Sequence, residues 1–323
     1  MFFIIIFTII YYLAYRLYQH FFPSPNIHSK GKYVLISGCD TGIGHALAME
    51  LDQQGFNVFA GVLIPNNVTS LKTKLSSRAT VFLLDITKQE DIDAAYDLVK
   101  ETTNTLHALV NNAGILTHGC IDWTSMELMR KVMNVNFFGH VAMTKKSLPL
   151  LITKRDSRVV NVVSAAGFFA FPNTSAYSAS KHALESFSDC LRREMAPWNL
   201  RVSIIEPGAL RTSMLEGYED TLRNIWNELP IDVQERWGIN YLNNIITKAI
   251  NSPFMINADN PSKVVRAIQH AVMNTKPRIR YRPGWQGKLI FFVLYLSPTW
   301  LSDKLLAKAL NFVPSGVQHQ LLN

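Results

Sequence analysis

Between residue 33 and about residue 205, short β-rich runs alternate with helical stretches, and that rhythm restricts the fold more than any other feature of the sequence. The runs fall at 33–37, 57–63, 80–84, 108–111, 158–163 and 201–205. Strands separated by helical segments of about ten residues or more are joined by right-handed crossovers, which place a parallel sheet between two layers of helix. The expected fold is a doubly wound α/β sheet forming a single domain, followed by a helical C-terminal extension. From about 212 to 261 the chain turns helical and polar, with Trp226 and Trp237 in it, and the rhythm breaks. In such sheets ligands lie beyond the carboxyl ends of the strands, so an insertion after the last of these runs is placed to cover a substrate.

With 323 residues, 48% hydrophobic and 17% charged, the chain supports one large core with small appendages. Residues 1–22 are almost wholly apolar, with Arg16 the only full charge and tyrosines among them. At about 20 residues such a run crosses a bilayer. No charged region precedes it and no small-residue cleavage site follows, so an uncleaved anchor is expected rather than a signal peptide. Arg16, Lys30 and Lys32 follow the apolar core, which puts the folded domain on the cytosolic side. The expected organisation is an anchor at 1–22, a linker at 23–32, the α/β domain at 33–285 and an apolar membrane-associating segment at 286–323.

The net charge is +8, and its location argues against nucleic acid. Lys263, Arg266, Lys276, Arg278, Arg280, Arg282 and Lys288 occur in a stretch without Asp or Glu that runs into the apolar segment LIFFVLYLSPTWL. Basic residues beside an apolar aromatic run fit an anionic lipid surface better than a phosphate backbone, although a solvated basic face beside a core helix has the same composition. Cys39, Cys120 and Cys190 are far apart without CxxC spacing, and the histidines form no ligand pair at helical spacing, so neither a disulfide framework nor a metal site is expected.

The first run leads into Gly38-Cys39-Asp40-Thr41-Gly42-Ile43-Gly44, and 45–54 (HALAMELDQQ) has helical composition. Glycines allow the backbone to turn tightly and approach a pyrophosphate, and a helix N-terminus offers unpaired N–H groups to it. The spacing is Gly-x-x-x-Gly-x-Gly rather than GxGxxG, so the strand before and the helix after supply the weight. The end of the second run, Ala60-Gly61-Val62-Leu63, holds neither an acid for a ribose hydroxyl nor a base for a 2′-phosphate. Asp40, with no basic residue from Gly38 to Gly44, makes NAD the expected cofactor and NADP the alternative.

Ser164 follows the run at 158–163, and thirteen residues on come Tyr177-Ser178-Ala179-Ser180-Lys181, opening a helical stretch that Pro197 ends. Asn173, Thr174 or Ser175 is placed to cap it. Tyr177 and Lys181 share one helical face. An ammonium beside a phenol favours the phenolate and lowers its pKa from about 10, which lets the phenol take a hydroxyl proton as hydride leaves the same carbon. A nearby hydroxyl or amide holds the reacting oxygen. Alone, a Tyr and a Lys four apart are an ordinary helix pair; the glycine turn gives them meaning.

Across about residues 30–285 the sequence resembles the short-chain dehydrogenases. The matching segments are SGCDTGIG (37–44), NNAG (111–114), Asn136 in VNFFG, Ser164 in NVVSAAG, YSASK (177–181) and Pro207-Gly208. The resemblance implies a Rossmann-type fold with Tyr177 as general acid/base, and Lys181 binding the nicotinamide ribose and depressing the tyrosine. It implies that Ser164 orients the substrate oxygen and that Asn136 supports a proton relay through water. It places Asn112, Ala113 and Gly114 beside the cofactor, Asp85 at the adenine, and Pro207, Gly208 and Thr212 on the nicotinamide side. Ser37 stands where the family usually has Thr, and its hydroxyl serves the same contact. Members often dimerise through helices near the catalytic one, so a homodimer is an expected assembly.

Within the family, the segments FNVFAGVL, SDCLRREM and WNELP and the long basic C-terminal part are similar to the branch holding retinol, 17β-hydroxysteroid and membrane-bound 3-hydroxybutyrate dehydrogenases. An anchored, apolar-tailed chain suits a retinoid or steroid alcohol partitioned in lipid. A small hydroxy acid needs a cation in the pocket, for which Arg211 and Arg223 are available. The expected location is the endoplasmic reticulum membrane, with the mitochondrial inner membrane as alternative. A non-catalytic nucleotide-binding scaffold is the reading from a different class. Asn67-Val68-Thr69 and Asn173-Thr174-Ser175 are formal glycosylation acceptors.

Overall fold

The structure, a computed structural model, describes residues 6, 7, 10, 11, 14, 21, 22, 24–212, 217–310 and 312–322, the side chains of 309, 310, 319, 321 and 322 excepted. The anchor expected over 1–22 lies largely outside the described residues. Among those described, no helix is long and apolar enough to cross a membrane.

Seven parallel strands form one sheet in the order β3-β2-β1-β4-β5-β6-β7. They are β1 (Tyr33–Ile36), β2 (Asn57–Val62), β3 (Thr80–Leu83), β4 (Ala108–Asn111), β5 (Arg158–Val162), β6 (Arg201–Ile205) and β7 (Arg280–Tyr281). The intervening helices are α1 (Gly42–Gln53), α2 (Pro65–Lys72), α3 (Gln89–Thr102), α4 (Met126–Met133), α5 (His140–Leu151) and α6 (Ser175–Glu194). Successive strand residues point to opposite faces and fill two cores. Val34, Ile36, Val58 and Ala60 pack with Leu47 and Leu51 of α1 and with Val264, Ile268 and Val272 of a later helix. Leu35, Phe59, Leu109 and Val159 pack on the other face with Val99 of α3, Met143 and Leu151 of α5 and Leu191 of α6. Burying each such aliphatic side chain stabilises the fold by about 1.5–3 kcal/mol before entropy is counted.

Sheet order reverses between β1 and β4, and the chain crosses to opposite sides there, which opens a crevice at their carboxyl ends. One short strand and one helix start escape a reading by periodicity and composition. β7 has only two residues and sits within the basic stretch, yet it pairs with Ile204 and Ile205. α1 starts at Gly42, ahead of the stretch 45–54 that composition suggests, because Gly42 and Gly44 already lie in its first turn despite poor helix propensity.

After β6 come α7 (Tyr218–Asn227), α8 (Ile231–Trp237), α9 (Ile239–Ile250), α10 (Pro253–Ile256) and α11 (Ser262–Met273). Trp226 and Leu242 from this insertion pack on Trp123 as a separate cluster. Beyond β7 the chain forms a π turn (Gln286–Phe291), α12 (Phe292–Leu296), α13 (Thr299–Leu310) and α14 (Ser315–Leu322).

Candidate active site

The crevice opens into a cavity of about 1170 Å³. Of the residues expected from sequence, Gly38, Asp40, Thr41, Gly42, Ile43, Asp85, Asn112, Ala113, Gly114, Ser164, Tyr177, Lys181, Pro207, Gly208 and Thr212 line it. Gly44 and Asn136 stand behind the wall.

The glycine turn is packed backbone against backbone. A Cβ on Gly38 would lie 2.7 Å from the Ala113 Cα, and one on Gly44 would lie 2.1 Å from the Gly38 oxygen and 2.5 Å from the Asn112 amide nitrogen. Gly42 differs: its φ is +60°, and its missing side chain faces open space. A flat, side-chain-free surface at a helix N-terminus is what a dinucleotide pyrophosphate requires, so the residues present fit a nicotinamide cofactor. The Ser37 hydroxyl accepts the backbone N–H groups of Asn112 (3.1 Å) and Ala113 (3.2 Å), and the Asn112 amide donates to the Ser37 and Gly38 carbonyls. These bonds hold the β1 and β4 ends together across the crevice.

Asp40 turns away from the glycines toward the end of β2. Its carboxylate accepts the N–H groups of Leu63 (2.9 Å) and Ile64 (2.9 Å) and the Asn67 amide (2.9 Å). The acid absent from β2 itself is thereby supplied from the turn. Asp85, at the end of β3, accepts the hydroxyl and N–H of Thr87.

Ser164 lies two residues beyond β5 in extended backbone, and its hydroxyl accepts the Ala166 N–H at 3.1 Å. Thr174 precedes α6 as the N-cap residue, but its hydroxyl donates to the Phe171 carbonyl instead of capping. One turn beyond Tyr177 in α6, Lys181 is buried and donates to the Val162 carbonyl at 2.9 Å, with its ammonium 5.8 Å from the centre of the Tyr177 ring. Burial lowers the lysine to about 7. In the chain without cofactor, Tyr177 shows no depression by Lys181. Burial pushes the phenol above its ordinary value, and the Ser164 hydroxyl, not the lysine, works against that rise. A lysine near 7 is only partly charged at neutral pH, which reduces what it can contribute to its neighbour.

Asn136 lies in a π turn (Asn134–Gly139) between α4 and α5. Its side chain accepts the Ile115 N–H (2.9 Å), donates to the Ile115 carbonyl (2.8 Å) and donates to the Ser180 hydroxyl (3.1 Å). That amide braces the strand-end loop against α6 from behind. π turns of this kind interrupt the regular ladder and recur at functional sites.

The far wall of the cavity comes from residues the sequence reading did not single out. Phe169 and Phe171 follow β5, Phe254 belongs to α10, and Phe291, Leu294 and Leu306 come from the C-terminal turns. Phe291 stacks on Phe169 and meets Phe171 and Phe254 edge-on or tilted. Gln286 also lines the wall and is fully buried. Hydropathy marks 286–301 only as apolar, and no local signal shows that one side of it closes a cavity.

A glycine-lined crevice at the switch point of a parallel sheet, meeting a Ser, Tyr and Lys cluster, defines a dinucleotide-dependent oxidoreductase. The profile of the short chain dehydrogenase family matches residues 32–223. The chain is 36% identical over 287 residues to the 17-beta-hydroxysteroid dehydrogenase type 6 of Bos taurus, covering 87% of this chain and 90% of that protein. It is 38% identical over 283 residues to the retinol dehydrogenase 7 of Mus musculus, covering 86% and 89%. A solved short-chain dehydrogenase from Streptomyces avermitilis superimposes with a TM-score of 0.67 at 26% identity, covering 87% and 96%. The chain belongs to the short-chain dehydrogenase family. It is an oxidoreductase that acts on CH–OH groups with a nicotinamide cofactor.

Proposed function

We propose that the protein transfers hydride between NAD and a hydrophobic alcohol or its carbonyl product, retinoid or steroid in type, at a membrane surface. One observation carries this reading. The wall beyond Ser164 and Tyr177 is aromatic and aliphatic, and apart from Lys181 of α6 the charged lining residues, Asp40, Asp85, Glu127, Arg130 and Lys131, come from the β1–α1 turn, the end of β3 and α4. Neither Arg211 nor Arg223 lines the cavity, and Arg223 is paired with Glu219 at 2.8 Å and bonded to Asn243. A small hydroxy acid would lack those cations. The names of the two relatives point the same way.

The turn from Gly38 to Ile43, with Asp85, Asn112 to Gly114, Pro207, Gly208 and Thr212, would hold the cofactor. When bound, the cofactor accepts or returns hydride at the substrate carbon. Ser164 holds the substrate oxygen beside Tyr177. Tyr177, kept protonated by burial, gives its proton to a carbonyl oxygen in reduction and recovers it from the alcohol in oxidation. Lys181, at about 7, exchanges that proton near neutral pH. Asp40, fixed at the end of β2, disfavours a 2′-phosphate and favours NAD.

The C-terminal turns support the membrane reading. Leu289, Val293 and Leu296, spaced by four and three residues, are exposed along one side, with Trp300 following, while Phe291 and Leu294 face the cavity. Lys288, Lys304 and Lys308 are exposed beside them, which suits anionic lipid. Both glycosylation acceptors are engaged internally, Asn67 with Asp40 and Asn173 with the Cys120 thiol, in keeping with a cytosolic face of the endoplasmic reticulum.

The test is turnover by membranes carrying the full chain, with retinol, a steroid alcohol and 3-hydroxybutyrate, each with NAD and with NADP. Retinol or steroid oxidation that prefers NAD and disappears in Tyr177→Phe is expected. Turnover of 3-hydroxybutyrate alone, or undiminished activity in Tyr177→Phe, overturns the reading.

A further inference from the structure

Gln286 follows the basic stretch and is the first residue of the segment that hydropathy assigns to the membrane, yet it has no exposed surface. Its side chain spans two parts of the site. The carbonyl oxygen accepts the Ala209 N–H at 2.9 Å, immediately after Pro207-Gly208. The amide nitrogen donates to the Phe254 carbonyl at 2.9 Å and reaches the Asn257 carbonyl at 3.4 Å. Ala209 and Phe254 both line the cavity.

Packing leaves this side chain no other place. A Cβ on Gly208 would lie 2.9 Å from the Gln286 Cβ, and one on Gly287 would lie 3.1 Å from the Glu206 carbonyl, so the two backbones run against each other. The far end of the same loop is held separately, by the Asp259 N–H to the Ala209 carbonyl and the Arg211 N–H to the Asp259 carbonyl. Only glutamine or a residue of its reach presents an acceptor to one segment and a donor to the other from a buried position.

We propose that Gln286 is a positioning residue that sets the Pro207–Ala209 loop with its carbonyl oxygen and the Phe254 wall with its amide, coupling the cofactor side of the site to the substrate side. This rests on the assignment of that loop to the cofactor and of the Phe254 wall to a hydrophobic alcohol. Each half of the side chain then governs a different binding step. Losing the acceptor weakens cofactor binding, and losing the donor weakens alcohol binding. The C-terminal segment is in that case part of the catalytic site and not only a membrane contact.

The experiment uses the full chain in phosphatidylcholine vesicles, with NADH binding followed by fluorescence and retinol oxidation followed at saturating NAD. Gln286→Leu loses both bonds, and NADH affinity and the KM for retinol are each expected to worsen about tenfold, the effect of one lost buried hydrogen bond apiece. Gln286→Glu keeps the acceptor toward Ala209. Protonated, it also keeps a donor; ionised, it turns a negative oxygen on the Phe254 and Asn257 carbonyls. Its retinol KM, relative to the unsubstituted protein at each pH, is therefore expected to rise from pH 6 to pH 9.5 while NADH affinity stays within about twofold. A general loosening of the fold would move both quantities together at every pH. Unchanged NADH affinity in a folded Gln286→Leu, or parallel losses in Gln286→Glu, overturns the proposal; should the leucine variant fail to fold, the glutamate variant decides. If the unsubstituted protein oxidises a steroid alcohol but no retinol, that alcohol replaces retinol in the KM measurements; if it oxidises neither, the substrate reading fails, and the NADH titrations still decide the Ala209 half.

Discussion

The Lys181 ammonium donates to the carbonyl of Val162, the last residue of β5, from a position that solvent scarcely reaches. That bond brings α6 to the end of the strand that leads to Ser164, and among the described residues the Val162 carbonyl is the acceptor the lysine bonds. Below about pH 7 the lysine is protonated whether the chain is folded or not, and the folded state bears the full cost of burying a charge. Between about 7 and the ordinary lysine value of 10.5 the unfolded chain holds more protons than the folded one, so stability rises with pH. Lys181→Met removes this cost. Urea unfolding without cofactor is expected to show the variant more stable than the parent below pH 7, with the difference shrinking as pH approaches 10. A difference independent of pH would mean that Lys181 is not held in this environment.

Asp40 bears on the choice between NAD and NADP because its bonds to Leu63 and Ile64 fix a negative charge at the end of β2. At an effective dielectric between that of a protein surface and that of water, one charge a few ångströms from a phosphate is worth about 1 kcal/mol or more, roughly a fivefold to tenfold change in binding. Asp40→Asn keeps an acceptor for the two N–H groups while removing the charge. The ratio of kcat/KM for NAD to that for NADP is expected to fall by that factor, with the melting temperature little changed.

Gly44 is expected to tolerate nothing larger. An added Cβ would meet the Gly38 carbonyl and the Asn112 amide, both held by the bonds that tie β1 to β4. Overpacking of this kind typically costs about 1–3 kcal/mol and displaces the backbone. Gly44→Ala should lower the midpoint of denaturant unfolding and abolish NADH binding, whereas Gly42→Ala, whose Cβ meets no protein atom, should leave packing alone and act through the strain of its positive φ.

Where local chemistry decides a structure, the sequence disclosed it. β4 and β6 occupy 108–111 and 201–205 as alternation and β-branched content indicate, and the glycine turn, Ser164, Tyr177 and Lys181 meet at one crevice because each sits at a strand end or a helix start fixed by its neighbours. What escaped notice depends on distant partners. Two residues of β7 carry no periodicity and exist because β6 offers an edge. Gln286 and Phe291 belong to a stretch whose apolar character is equally suited to lipid and to a cavity wall, and only contact with Ala209, Phe254 and Phe169 separates its two sides. The phenol's environment is hidden for the same reason, since spacing puts a lysine near the tyrosine but does not disclose that burial raises the phenol and lowers the lysine.

The outward side of the C-terminal turns provides a last test, because the same helices wall the cavity on their inner side. Leu289, Val293 and Leu296 are each more than half exposed, and no protein surface covers them among the described residues. Serine at all three positions removes apolar area without touching Phe291 or Leu294. If this side contacts lipid, the triple variant should sediment less with vesicles containing phosphatidylserine than the parent does, and its KM for retinol dissolved in those vesicles should rise several-fold, since each exposed aliphatic group contributes about 1 kcal/mol or more to partitioning. Its kcat/KM for a short, water-soluble secondary alcohol should be unchanged. Equal losses on the vesicle-borne and the water-soluble alcohol would instead mean that the substitutions disturb the cavity wall, and the outer side would have no part in delivering substrate.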